Sequence, residues 1–304
     1  DRATGAHNHG SLTIASGGTF NATSGVTTIT SEVSGTGFAM HNSGTFTHND
    51  GTVTITTGAN THIMESNFYN LIINASGQSI FWRDSTSNLV TVNNDLTITA
   101  GIFKRNTASD TLTVTGDVLI SSGGTIGLAT ESGANNFGSL TIASGGTYYA
   151  TSGTTTITSG NSGTGYSFHN TGTFTHNKGK ILIDFTPSGN WYSQNNEFYD
   201  LELKYNSNGY TFRLTPHSGS AISILNNLTV TMGCLEVHTT TSTLDIHGQT
   251  IINGGIFETE ADQATGKFTH HGLVTINSGT YKINDGTTVK MNGGIRQLGT
   301  LTVA

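Results

Sequence analysis

The chain has 304 residues, a net charge of −7, 40 glycines and only 10% charged residues. Its twelve Lys and Arg are scattered, with only Lys104-Arg105 adjacent, so it carries no basic stripe for phosphates, which argues against a nucleic-acid partner. No apolar run approaches the ~18 residues of a membrane span, and the single Cys234 excludes both an internal disulfide framework and a zinc–thiolate cluster.

Ser and Thr together make up about 28% of the chain. Leu, Ile, Val and Phe recur in short Thr-flanked runs, and β-branched residues of this kind suit a pleated surface. The only prolines are Pro187 and Pro216, which fits long runs of ladder hydrogen bonding. An ordered all-β protein is expected, and Cys234 reads as a small buried side chain. The chain opens at Asp1 without a methionine or signal-like segment, so it is read as a processed product or an excerpt.

In chain order, Ala3–Gly10 reads as a turn. Strands are then expected at Leu12–Ile14, Thr19–Phe20, Thr27–Thr30, Phe38–Met40, Thr45–His48 and Val53–Thr56. They continue at Leu71–Asn74, Ser79–Trp82, Leu89–Val92, Leu96–Thr99, Leu112–Thr115 and Val118–Ile120. Gly-Gly, Asn-Asp-Gly, Ser-Gly and Asn-Asn lie between them, all turn formers that tolerate positive φ. No stretch has a 3.6-residue apolar period, so almost no helix is expected.

The stretch Gly10–Thr57 occurs twice. Without gaps, 33 of its 48 positions match Gly138–Phe185, at an offset of 128 residues. Phe68-Tyr69-Asn70-Leu71 returns as Phe198-Tyr199-Asp200-Leu201, and Thr111–Gly116 returns as Thr243–Gly248. A third copy begins near Ala264. The organisation expected is repeat unit 1 over 1–130, unit 2 over 131–263 and a partial unit 3 over 264–304. Fixed-period similarity marks a stack. An antiparallel sandwich also accommodates short strands at this spacing, but it would not repeat its internal strand sequence. The expected architecture is a single elongated parallel β-solenoid (β-helix) of about 13 coils, with apolar residues inward and Thr or Ser outward.

Few residues suggest chemistry. His41, His48, His169 and His176 recur in His-Asn pairs, and imidazoles on neighbouring rungs could bind a transition metal. No cysteine accompanies them and no carboxylate recurs with them, so the expectation is that they are corner residues bonded to the backbone, with no metal and no cofactor. Phe268-Thr269-His270-His271 repeats the second pair's motif. Asp200/Glu202 and Glu258/Glu260 are spaced to share a strand face, as glycosidase carboxylates could, but Asn70 and Ile72 replace the first pair in the other copy. Asn49-Asp50-Gly51 and Asn284-Asp285-Gly286 read as turns rather than calcium loops. Trp82, Trp191 and Tyr192 are the candidate glycan contacts, with core filling as the competing use. Asn21, Asn74 and Asn227 begin N-glycosylation sequons. Triplets of this kind arise by chance in so Asn- and Thr-rich a chain, and each asparagine is lost in its counterpart copy (Tyr149, Lys204, Asp95).

The rungs LTI…GGTF, LTVTGDVLISSGGT and GTFTHN resemble the Thr/Gly/Asn-rich repeats of large bacterial and phage surface proteins: adhesins, fibre proteins and β-helix filaments. The resemblance covers nearly the whole chain and implies an exported or virion-surface location, with a structural or adhesive role and no catalytic residues. Neither end carries an obvious cap, so head-to-tail self-assembly is expected. The leading expectation is a subunit or segment of an extracellular fibre. The alternatives are an adhesin or tail-fibre shaft that binds surface polysaccharide, and a polysaccharide-cleaving β-helix enzyme.

Overall fold

A computed structural model describes residues 4–64, 67–82, 89–185, 191–205, 209–216, 221–237, 243–259, 266–284 and 286–303. These residues contain strands, turns and bends but no helix, and their strands pair in parallel. The chain divides into two compact units, one of Asp1–Gly153 with Gly172–Asn177 and one of Thr154–Thr171 with Lys178–Ala304. Both are parallel β-solenoids, about 12 turns in all, which bears out the expected architecture.

In the first unit one face is built from His7–His9, Val26–Ile29, Thr52–Ile55 and the leading half of Asn70–Trp82. The leading half of Leu96–Arg105 and the trailing halves of Thr111–Ile120 and Asn135–Ile142 complete it. The register stacks Ile29, Ile55, Ile73, Ile98, Ile120 and Ile142 in one inward column. All six are fully buried. A second face stacks Thr61, Ile80, Phe103, Ile126, Tyr148 and Phe174. A third stacks Phe68, Val92, Val114 and Phe137.

The second unit repeats the plan. Ile157, Ile183, Leu203, Val230, Ile252 and Ile276 form one inward column. Trp191, Phe212, Leu235, Phe257 and Tyr281 form another. Alternation along each short strand explains both sets, because side chains at i and i+2 share a face. Removing a stacked methylene surface from such a column leaves a hole that the flanking rungs cannot close.

Glycine is required where corners stack backbone on backbone. A Cβ at Gly44 would stand 2.3 Å from the Gly18 carbonyl oxygen. In the first unit's second copy, a Cβ at Gly172 would stand 2.4 Å from the Ala143 carbonyl oxygen.

Four expectations are corrected. His7–His9 is a strand and not part of a turn, pairing in register with Thr27–Ile29, and its imidazoles pack edge-on to Phe20 at 5.9 and 5.5 Å. Thr61–Met64 is an unanticipated strand. Its inward Thr61 breaks the apolar alternation and donates its hydroxyl to the Gly37 carbonyl at 2.9 Å. The paired expectations around residues 71–82 and 112–120 each merge into one long strand. The first turns a corner at Gly77, where φ is +73° and the register shifts. Leu96–Thr99 likewise extends to Arg105.

Ile98→Ala is expected to destabilise the fold by about 2–5 kcal/mol, read by urea unfolding. Gly44→Ala is expected to cost at least about 2 kcal/mol through a backbone clash that no rotamer relieves. A wild-type midpoint for Gly44→Ala would refute that close packing.

Candidate functional site

The candidate residues fall into outward columns, corners and the interior. On the second face of the first unit, Phe38, His62, Phe81 and Lys104 occupy one outward column. Phe38 lies 5.6 Å from His62, His62 stacks on Phe81 at 4.9 Å with a 19° interplanar angle, and Lys104 Nζ sits 4.4 Å above Phe81. In the second unit the matching column is Tyr166, Tyr192, Arg213, Glu236, Glu258 and Lys282.

There the Arg213 guanidinium lies 5.6 Å over the Tyr192 ring and donates to the Tyr192 hydroxyl at 3.0 Å and to Glu236 at 2.6 Å. Those bonds hold the guanidinium's pKa above its ordinary value, the Glu236 bond contributing most. Lys282 donates to Glu258 at 3.2 Å. Tyr166, Tyr192, Arg213 and Glu236 contact one another rung to rung, so Tyr192 is committed to its neighbours on both sides. Trp191 turns the other way, half-buried against Phe185 at 6.4 Å. Trp82 has no exposed surface; its ring lies 4.4 Å from Phe103 and under the Arg105 guanidinium at 5.2 Å. A fully buried indole offers no face to a sugar.

Two of the His-Asn pairs, His48-Asn49 and His176-Asn177, hold corners, whereas His41-Asn42 and His169-Asn170 close the strands Phe38–Asn42 and Tyr166–Asn170 and are not corner residues. Asn49 and Asp50 take φ of 48° and 59°, and Asn177 takes 49°, the left-handed region that Asn tolerates. Asn49 Nδ2 donates to the Ala22 carbonyl at 2.7 Å, and Asn177 Nδ2 to the Ala150 carbonyl at 2.5 Å. His48 Nδ1 accepts the Asp50 N–H at 3.0 Å while its ring stacks on Tyr69 at 5.6 Å. His41 packs on Phe38 at 4.9 Å and His169 on Tyr166 at 4.5 Å, and His176 is half-buried. Among the described residues, no group of three or more His, Cys, Asp or Glu is placed to hold a metal ion.

Asn21 and Asn74 are exposed, whereas Asn227 Oδ1 accepts the Gln249 N–H at 2.9 Å. That bond belongs to a ladder the sequence did not reveal. Asn70 Oδ1 accepts the Asp95 N–H, Asp95 Oδ1 accepts the Asp117 N–H, and Asp117 Oδ1 accepts the Ser139 hydroxyl. Asp200 Oδ1 likewise accepts the Asn227 N–H at 2.9 Å. Asn70, Asp95, Asp200 and Asn227 each cap a backbone N–H of the next coil, and Asp117 takes a side-chain hydroxyl there instead.

The paired carboxylates are therefore occupied: Asp200 by this ladder, Glu202 by Lys180 at 2.7 Å, Glu258 by Lys282 and by the Cys234 thiol at 3.1 Å. Glu260 and Asp285 lie outside the described residues. Burial first, then the hydrogen bond to Glu258, pushes the Cys234 pKa up to about 12, so this thiol stays protonated.

Two interior polar groups were also missed. Arg105 is buried and donates through Nη1 to Glu131. Its Nε donates to the Asp110 carbonyl at 2.5 Å and its Nη2 to the Ala134 carbonyl at 2.9 Å and to Asn135 Oδ1 at 2.5 Å. Asn135 passes the chain on to the Tyr148 hydroxyl at 2.7 Å. The corresponding position of the other repeat is Val237, so an apolar residue serves there.

His270, the third copy of the His motif, is not at a corner but inside strand Lys267–His270, fully buried. Its Nδ1 lies 2.7 Å from Thr250 Oγ1 and its Nε2 2.8 Å from the Tyr281 hydroxyl. Burial, with the His271 charge secondary, lowers its pKa to about 4, and burial raises that of Tyr281.

No known protein family, curated protein or solved structure matches the chain.

Glu131→Ala should cost about 3–5 kcal/mol by stranding the buried guanidinium, whereas the double change Arg105→Met/Glu131→Leu should recover most of that loss. Equal loss in both, measured by urea unfolding, would show that the pair is not coupled. His270 adds a pH dependence. Between about pH 4 and 6.5 the unfolded chain holds the proton and the folded chain does not. This contribution to stability is complete above about pH 6.5 and falls by about 3 kcal/mol as the pH drops toward 4. Thermal melts across that window should decline in the wild type and decline less in His270→Gln.

Proposed function

We propose that the chain is a structural segment of an extracellular fibre or filament, located at a cell or virion surface and built by head-to-tail stacking of β-solenoid repeats. The observation that carries this reading is the inward column of six buried isoleucines from consecutive coils. Each coil is both product and template of the same rule, and any further identical coil can extend the backbone ladder and the columns together. The ionisable groups that chemistry would use are turned to the same purpose. Asp200, Glu202 and Glu258 join successive coils, and the Cys234 thiol is held protonated. No helix among the described residues is long and apolar enough to cross a membrane.

An adhesin or tail-fibre shaft is the second reading, and the half-exposed column of Tyr166 and Tyr192 favours it. A glycan array separates the two, because binding lost in Tyr192→Ala would favour the adhesin.

Negative-stain microscopy of the concentrated protein is expected to show filaments, and fibre diffraction a meridional reflection at about 4.8 Å, the spacing of parallel rungs. Dispersed monomers at every concentration would overturn the assembly reading.

A further inference from the structure

The second unit has an outward face whose chemistry differs from the rest of the molecule. Strands Thr243–Ile246, Lys267–His270 and Thr288–Met291 pair in register, Thr243↔Lys267↔Thr288 and Asp245↔Thr269↔Lys290. The next outward positions are His247, His271 and Asn292, whose backbones follow the same ladder. The result is a grid of three rungs by three columns, about 4.8 Å between rungs and about 6.6 Å between alternate residues.

Two lysines stand on its diagonal. Elsewhere in this unit, Lys180, Lys204, Arg213 and Lys282 each sit on a carboxylate: Glu202, Asp184, Glu236 and Glu258. Lys267 and Lys290 are exposed and, among the described residues, have no carboxylate partner. Between them lies a cleft of about 200 Å³ lined by Lys267, Phe268, Thr269, Thr288 and Lys290. The one carboxylate on the grid, Asp245, is engaged by imidazoles, 2.7 Å from His271 Nε2 and 3.7 Å from His247 Nε2. The two imidazoles stack at 5.0 Å and border the grid.

We propose that this face binds an acidic polysaccharide of the uronate type. The two ammonium groups meet carboxylates, and the Thr269 and Thr288 hydroxyls, each able to donate and accept, meet sugar hydroxyls. Charge complementarity selects this occupant. Two lysines are too few to hold a nucleic acid, which needs many phosphate contacts, but they match the single carboxylate carried by each of two uronate rings. The grid projects Thr, Lys, Asp, His and Asn and no large apolar side chain that could enter a lipid surface. A cleft of this volume suits one sugar ring at a time. The inference does not depend on whether the protein forms filaments.

Binding to immobilised polygalacturonate, neutral dextran and phosphatidylserine vesicles tests it, using the full chain. The expected result is retention on polygalacturonate that weakens with salt, no retention on dextran, and weaker retention on vesicles. Lys267→Ala/Lys290→Ala should lose about tenfold or more in affinity, and Lys267→Arg/Lys290→Arg should keep most of it. An unchanged melting temperature in both variants shows that folding is intact. No retention by the wild type, unchanged retention by the double alanine variant, or vesicle binding as strong as polymer binding would each overturn the proposal.

Discussion

The parallel ladder between successive coils constrains every other feature of this molecule. Once each backbone is hydrogen-bonded in register to the coil on either side, a residue has no freedom to choose its neighbours. It lies over its counterpart one coil earlier and under its counterpart one coil later. An apolar position therefore becomes an apolar column, as with Ile29 through Ile142. A slip of one residue would turn that whole column outward, so the buried isoleucines and the backbone ladder enforce one another.

The same constraint sets a harsh rule for polar side chains. A polar residue in an inward column cannot turn away, and it must find partners on its own or adjacent coils or lose its solvation without return. Arg105 meets that demand with Glu131, Asn135 and two backbone carbonyls, and His270 with Thr250 and Tyr281. The Asn and Asp corner ladder is the milder case. Turning a corner leaves backbone N–H groups without strand partners, and a carboxamide from the previous coil supplies the acceptor.

Local order in the chain was legible because stacking writes itself into sequence as repetition. Leu12–Ile14 and Leu89–Val92 were located to the residue, since an apolar–Thr–apolar run between turn formers has one reading. Thr61–Met64 was missed because its inward Thr61 looks like one more surface threonine. The corner ladder was missed because Asn is so abundant that no particular one stands out, and its Asp members look like ordinary surface acids. Arg105 and Glu131 are separated by about one coil, so their pairing is visible only when the register is known. His270 shows the reverse error. Its motif matches the corner histidines, yet it is buried, because the strand here runs through His270 itself whereas the strand Thr173–Thr175 ends before His176.

Repetition also explains why chemistry is hard to find in such a fold. A reaction centre needs different groups converging on one point, whereas a solenoid arranges similar groups along a line. Function must then come from columns whose members differ from coil to coil. The outward column from Tyr166 to Lys282 does differ, but its groups neutralise one another in sequence, aromatic to guanidinium to carboxylate, and it therefore strengthens the stack. The face carrying Lys267 and Lys290 differs without neutralising itself. Holding two like charges on neighbouring coils gains nothing for the stack, since each lysine would be better placed beside a carboxylate, as Lys180 and Lys282 are. A surface that forgoes that stabilisation is where a partner of opposite charge has most to gain.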